Sequence, residues 1–223
     1  MSFPSRPRSA SLGKTMNKSD HIFDENMRVL HKRAPLLADR VRGYGGRPSW
    51  EAVPARSGQI TARTVSGEGL VRHIHSRYDP EKEALRWAAL APRNAETLAV
   101  LGFGLGYHAV ALRRRHSGGP LVIIEGDPGL FHLALRSVPL ASLLVDPRTH
   151  LLVQESREDI EGFLNGLNPR SFGYLSYFPV TDLYPEYYQP IRDMLEKRIF
   201  ERRLREDPAL GRGIEGLLRE TIG

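Results

Sequence analysis

No cysteine occurs anywhere in this 223-residue chain. Disulfides, a thiolate nucleophile and thiolate metal sites are therefore excluded. No apolar run reaches the roughly 20 residues needed to cross a bilayer, and no hydrophobic stretch of signal-peptide type follows the N-terminal charges. A cytoplasmic protein with no membrane partner is the expectation. Aromatic residues are sparse at 8%, and no acidic residue precedes Asp20. That local lack of acids accounts for most of the charge imbalance. Arg6, Arg8, Lys14 and Lys18 supply four of the six net positive charges, and the remainder is close to balance. Arg113 to Arg115 and Arg202, Arg203, Arg205 are local clusters, the second interleaved with Glu201 and Glu206, and read as solvated helix faces. With no RNA-binding aromatic signature and no helix-turn-helix bearing a basic face, nucleic acid is not an expected partner.

What is present is a glycine turn between two apolar runs. LAVLGFGLGYHAVALRRRHSGGPLVIIEGD (98–127) reads as strand, glycine turn, helix, loop, strand and acid. Leu98–Leu101 and Leu121–Ile124 have the continuous apolar character of strands buried on both faces of a parallel sheet. Gly102, Gly104 and Gly106 fall at the first turn, where backbone can approach a ligand at the positive end of a helix dipole. Glu125 ends the next strand, where an acid can accept both hydroxyls of a ribose. An adenosine-containing ligand fits that pattern.

The rest of the chain fits around this unit. Residues 1–18 read as a disordered basic tail, with Met16 an alternative start. Residues 19–78 hold an N-terminal helix to about Arg42, interrupted by Pro35, and then a meander of three short strands between Trp50 and Ile74. A Rossmann-like segment follows at 79–206, opening with a helix that has Pro80 at its first position. Its strands fall near 97–101, 121–125, 149–153 and 172–178, and a last helix runs from near Glu186 to before Pro208. The fold class expected is α/β, a mostly parallel Rossmann-like sheet of methyltransferase type preceded by a helix and a small β-meander. Residues 207–223 form an amphipathic tail or linker, with Leu210, Ile214, Leu217, Leu218 and Ile222 at helical spacing. Its internal glycines weaken an isolated helix, so it needs this domain, a second copy or a downstream domain as its partner.

Other residues are weaker candidates. His73 and His75 lie two apart on one strand face, as a metal pair or as a polar strand end; no metal site is expected. His108, on the first helical turn after the glycines, either contacts a ligand or caps local backbone. In HSRYDPEKEA (75–84), Arg77 could hold a phosphate or carboxylate with Ser76, Asp79 and Glu83, or Asp79 could simply cap the helix and pair with Arg77. Glu155, just past the third strand, is either an adenine contact or an acid favouring a helix start. Five of the eight tyrosines fall between 173 and 190, where an open α/β sheet borders its ligand crevice. No nucleophile–base pair and no matched catalytic carboxylates stand out.

Two resemblances rest on these residues. The glycine turn and Glu125 resemble the cofactor half of S-adenosylmethionine-dependent methyltransferases. That resemblance implies that Gly102, Gly104 and Gly106 cradle the methionine part, Glu125 holds the ribose and Glu155 meets the adenine. That family carries an acid two residues before the first glycine; this chain has Val100, so weak or absent cofactor binding is expected. HIHSRYDPEKEALRWA (73–88), VLGFGLGYHAVAL (100–112) and LVIIEGDPGLFHLAL (121–135) resemble the N-terminal domain of motility accessory factor (Maf) proteins. FDENMRVLHKRAPLLADRV (23–41) and LYPEYYQPI (183–191) are similar to the same domain, so the resemblance spans about residues 20–205. Maf proteins are bacterial and are implicated in glycosylating flagellin with sialic-acid-like nonulosonic sugars. The resemblance implies an accessory domain without catalysis of its own, since the family's transferase domain lies downstream of this point. It also implies flagellin, a downstream transferase domain or a second copy as partner. A nucleotide or S-adenosylmethionine-like ligand at the glycine turn, in an active methyltransferase or aminopropyltransferase, remains an alternative. A nucleotide-free interaction module is another.

Overall fold

The structure is a computed structural model that describes residues 18–45, 50–65, 69–167 and 169–207. The basic tail up to residue 17 and nearly all of the amphipathic segment, 208–223, lie outside the described residues. The chain opens with helix α1 (Lys18–Arg33) and helix α2 (Pro35–Arg42). They are two helices because Pro35 has no N–H to continue the ladder and forces its predecessor out of helical backbone: Ala34 sits at φ −145°. Strands β1 (Glu51–Pro54), β2 (Ile60–Val65) and β3 (Val71–His73) then form an antiparallel meander in sequence order.

Helix α3 (Pro80–Ala88) starts with Asp79 as its cap, the side chain accepting from the Lys82 amide at 2.9 Å. The sheet begins with β4 (Thr97–Leu101), followed by α4 (Tyr107–Arg115), β5 (Leu121–Glu125) and α5 (Pro128–Ser137). Asp127 caps α5, accepting from the Gly129 and Leu130 amides, with Pro128 at the first helical position. A short α6 (Ala141–Val145), β6 (Thr149–Val153) and α7 (Arg157–Leu167) come next, then β7 (Phe172–Ser176), one turn of helix α8 (Phe178–Thr181) and the long α9 (Pro185–Glu206). Expected strand 172–178 therefore ends two residues early, where Pro179 at the start of α8 turns the chain.

The four strands β4 to β7 are all parallel, in the order β6-β5-β4-β7. Residues Leu98 to Leu101 pair with Leu121 to Ile124 in the register that puts Gly102 and Glu125 side by side at the carboxyl ends. Every residue of β4 and β5 is buried, which is why both read as unbroken apolar runs. The reversal of strand order at β4, between β5 and β7, makes a topological switch point, the place where such sheets hold ligands.

Helix α1 packs on α5 and α6, and residues from 27 to 195 share one apolar core. Asn26, 1% exposed, clamps that junction. Its amide donates to the Leu135 and Val138 carbonyls at 2.8 Å each, and its oxygen accepts from the Leu140 amide at 2.9 Å. Among the described residues no helix is long and apolar enough to cross a membrane.

Candidate functional site

The glycine turn lies at the carboxyl end of β4, as its spacing predicts. Gly102, Gly104 and Gly106 all adopt the left-handed backbone region, at φ of +85°, +54° and +87°. The space that their missing side chains leave is filled by the protein itself. A Cβ on Gly104 would fall 2.9 Å from His75 Nε2 and from Ile74 Cγ2; one on Gly106 would fall 2.6 Å from the Phe103 ring and 2.8 Å from Leu140. Glycine is required here for close internal packing as well as for backbone geometry.

Each backbone donor of the turn is also engaged. The Gly102 N–H donates to the Ile124 carbonyl at 2.8 Å and the Gly106 N–H to the Phe103 carbonyl at 2.9 Å. The Phe103 and Gly104 N–H groups donate to Glu125 Oε2 at 2.7 and 3.2 Å. The Leu105 N–H donates to His75 Nε2 at 2.9 Å. A helix N-terminus of this kind is a ready anion site, and here the anion is the chain's own carboxylate.

Glu125 is fully buried. Its second oxygen, Oε1, accepts from the Asp127 amide at 2.7 Å and from the Tyr188 hydroxyl at 3.0 Å, and Tyr188 in turn accepts from the Gly126 amide at 2.8 Å. Burial pushes the carboxyl up to about 7, against the pull of those donors. In this conformation no oxygen of Glu125 faces an open crevice.

The switch point between β4 and β7 is closed by a ring cluster. Tyr177 stacks on His108, with centroids 4.2 Å apart, and on His75, at 5.1 Å; Trp87 meets His108 edge-on at 4.8 Å. The hydrogen bonds fix both histidine tautomers. His75 Nε2 accepts from Leu105, so Nδ1 carries the proton and faces the Tyr177 hydroxyl at 2.8 Å; that hydroxyl donates to the Ile74 carbonyl. His108 Nε2 meets the Gly102 carbonyl at 2.9 Å and so carries its proton there. Burial lowers the pKa of both, that of His108 to about 3. His108 thus bonds local backbone, and its face looks into the aromatic cluster.

The outer rim of the crevice is covered by α9 and its neighbours. Tyr184 and Trp50 both donate to Asp127 Oδ2 at 2.6 Å, the Tyr187 ring lies where a Cβ on Gly126 would fall, and the Tyr187 hydroxyl donates to the Glu155 carbonyl at 3.0 Å. The Glu155 side chain is partly buried and pairs with Arg40 at 2.6 Å. In the 76–83 loop, the Ser76 amide donates to Glu83 and the Ser76 hydroxyl accepts from the Tyr78 and Asp79 amides. Asp79 is the helix cap, and no ion pair joins it to Arg77 among the described residues. His73 and His75 do not converge: His75 is buried in the turn and His73 ends β3. Among the described residues no group of three His, Cys, Asp or Glu could hold a metal ion.

Sequence reasoning placed Gly102, Gly104, Gly106, Glu125 and His108 around one turn, and they meet there. It missed His75, Tyr177 and Tyr188 as the groups that fill it. The one available signal was the tyrosine concentration after β7.

No family model matches the chain. It is 31% identical over 118 residues to an uncharacterized protein of Treponema pallidum (strain Nichols), a match covering 50% of this chain and 39% of that protein. Its fold is similar to that of the Maf glycosyltransferase from Magnetospirillum magneticum AMB-1, with a TM-score of 0.55 and 14% identity over 78% of this chain and 35% of that one. This chain thus spans well under half the length of either protein, and what it shares with the second is the α/β fold.

Proposed function

We propose that the chain is an accessory domain of a Maf-like protein acting in flagellin glycosylation with nonulosonic sugars, and that it works by interaction rather than by catalysis of its own. One observation carries the non-catalytic part. Every backbone donor from Gly102 to Gly106 and both oxygens of Glu125 are satisfied within the protein, at the position where a nucleotide would sit. A cofactor would have to displace Glu125 from two amides and His75 from a third. Val100 also removes the carboxylate that a charged ligand amine would need, which costs about 1.5–3 kcal/mol. The family part draws support from the motif resemblance over residues 20–205 and from the similar fold of a Maf glycosyltransferase.

Calorimetry tests both parts. S-adenosylmethionine and its decarboxylated form should give no saturable heat with the purified chain at ligand concentrations up to about 1 mM, the weak end of measurable affinity. Low-micromolar binding of either would overturn the non-catalytic reading in favour of a methyltransferase or aminopropyltransferase. Purified flagellin should bind saturably; its failure to do so would remove flagellin as the partner and leave a downstream transferase domain in that role.

A further inference from the structure

Away from the glycine turn, an apolar concavity lies on the outer side of α4. It has a volume of about 690 Å³, within the range of small-molecule sites. Helix α4 forms the floor, with α1, the meander, α3 and the α5–α6 connection as walls. Along that floor run Tyr107, Val110, Ala111 and Arg114, which are spaced i, i+3, i+4 and i+7 and so share one helix stripe about 10 Å long. Tyr107 and Ala111 are largely buried, Val110 is partly exposed, and the stripe ends in an exposed cation.

The walls continue the same pattern. Ile22, Ile60, Leu85 and Val138 add apolar surface, and Leu85 is 60% exposed although it sits within a concavity. Two guanidinium groups reach the cleft, against one carboxylate, Glu81. Arg136 is already engaged, donating to Asp20 at 2.9 Å and lying 5.1 Å over the Phe23 ring. Arg114 is exposed and has no hydrogen-bond or ion-pair partner among the described residues. Its neighbour Arg113 turns inward to the Gly119 carbonyl and Asp146 instead.

We propose that this cleft is a binding site for a single-chain amphipathic anion, whose apolar body lies along Tyr107, Val110 and Leu85 and whose anionic head meets Arg114. The apolar floor supplies affinity by area, and the unpaired guanidinium supplies orientation and the preference for negative charge. The site is independent of the function proposed above, because it shares no ligand-facing group with the glycine turn. Tyr107 is the common element, and its hydroxyl is tied to the backbone of Ile60 by both donor and acceptor.

The test uses the full chain and sodium dodecanoate below its micelle concentration, followed by calorimetry and by amide NMR shifts of α4. One saturable site is expected, with shifts centred on Val110 and Ala111. Arg114→Glu should weaken it at least tenfold, the scale of one charge-assisted hydrogen bond. Val110→Glu should abolish it, and both variants should keep the wild-type circular dichroism. Dodecyltrimethylammonium, the cationic counterpart, should not bind. Absence of saturable dodecanoate binding, or equal affinity in Arg114→Glu, would overturn the proposal. So would a response only to phosphatidylglycerol vesicles, which would make the face a bilayer contact. A dimer in sedimentation that Val110→Glu dissociates would likewise overturn it, by giving the cleft to a second copy.

Discussion

His75, His108 and Glu125 are held in protonation states that their surroundings impose, and the consequences for stability have opposite signs. Both histidines are kept neutral by burial, with His108 lowered to about 3. As pH falls below about 6.5, the unfolded chain takes up protons that the folded protein refuses, so stability is lost. Glu125, raised to about 7, does the reverse. Between pH 7 and its unfolded value of 4.5, the folded state holds a proton that the unfolded state has released, so stability rises as pH falls. The His108 titration by itself contributes a loss of about 1.4 kcal/mol per pH unit on going down from 6.5 to 4.5, and Glu125 offsets part of the total. His108→Gln keeps a donor for the Gly102 carbonyl and removes one titration. Urea midpoints measured between pH 4.5 and 8 should then show a shallower acid limb in the variant; a limb as steep as the parent's would contradict this assignment.

At the scale of elements, the decisive contact is the clamp that helix α1 makes on the α5–α6 junction. Helix ends leave backbone groups unsatisfied, and the end of α5 and the start of α6 are buried together. Asn26 serves both through three hydrogen bonds. Asn26→Ala would strand two carbonyls and one amide away from water, with an expected loss of about 3–4 kcal/mol in urea unfolding. A loss below about 1 kcal/mol would mean that water replaces the clamp and that α1 is held by apolar contact alone. Nothing in the sequence marks Asn26 for this task, since its partners lie more than 100 residues away. Strands β4 and β5 were legible for the opposite reason: burial on both faces leaves a continuous apolar run that needs no partner to be recognised. Asp127 with Pro128, Asp79 with Pro80 and the break at Pro35 were similarly local, because caps and proline act within a few residues.

At the scale of the whole molecule, a sheet topology that elsewhere opens a ligand crevice is here closed by chain segments on either side of it. His75 arrives from the meander end, Tyr177 from the end of β7 and Tyr188 from α9. The glycine spacing and the acid at residue 125 were visible in sequence, but whether such a turn faces a ligand or its own protein depends on side chains 30 to 63 residues distant. That is why the sequence pattern points to a nucleotide while the geometry describes a packed junction. The turn's role can be read directly from amide hydrogen exchange at Phe103, Gly104 and Leu105. If Glu125 and His75 hold these donors as described, all three should exchange only on global unfolding, with protection equal to that of the β4 amides. Exchange at these three amides more than about 100-fold faster than in β4, a gap of about 2.7 kcal/mol, would show a turn that opens on its own to a ligand and would contradict the account.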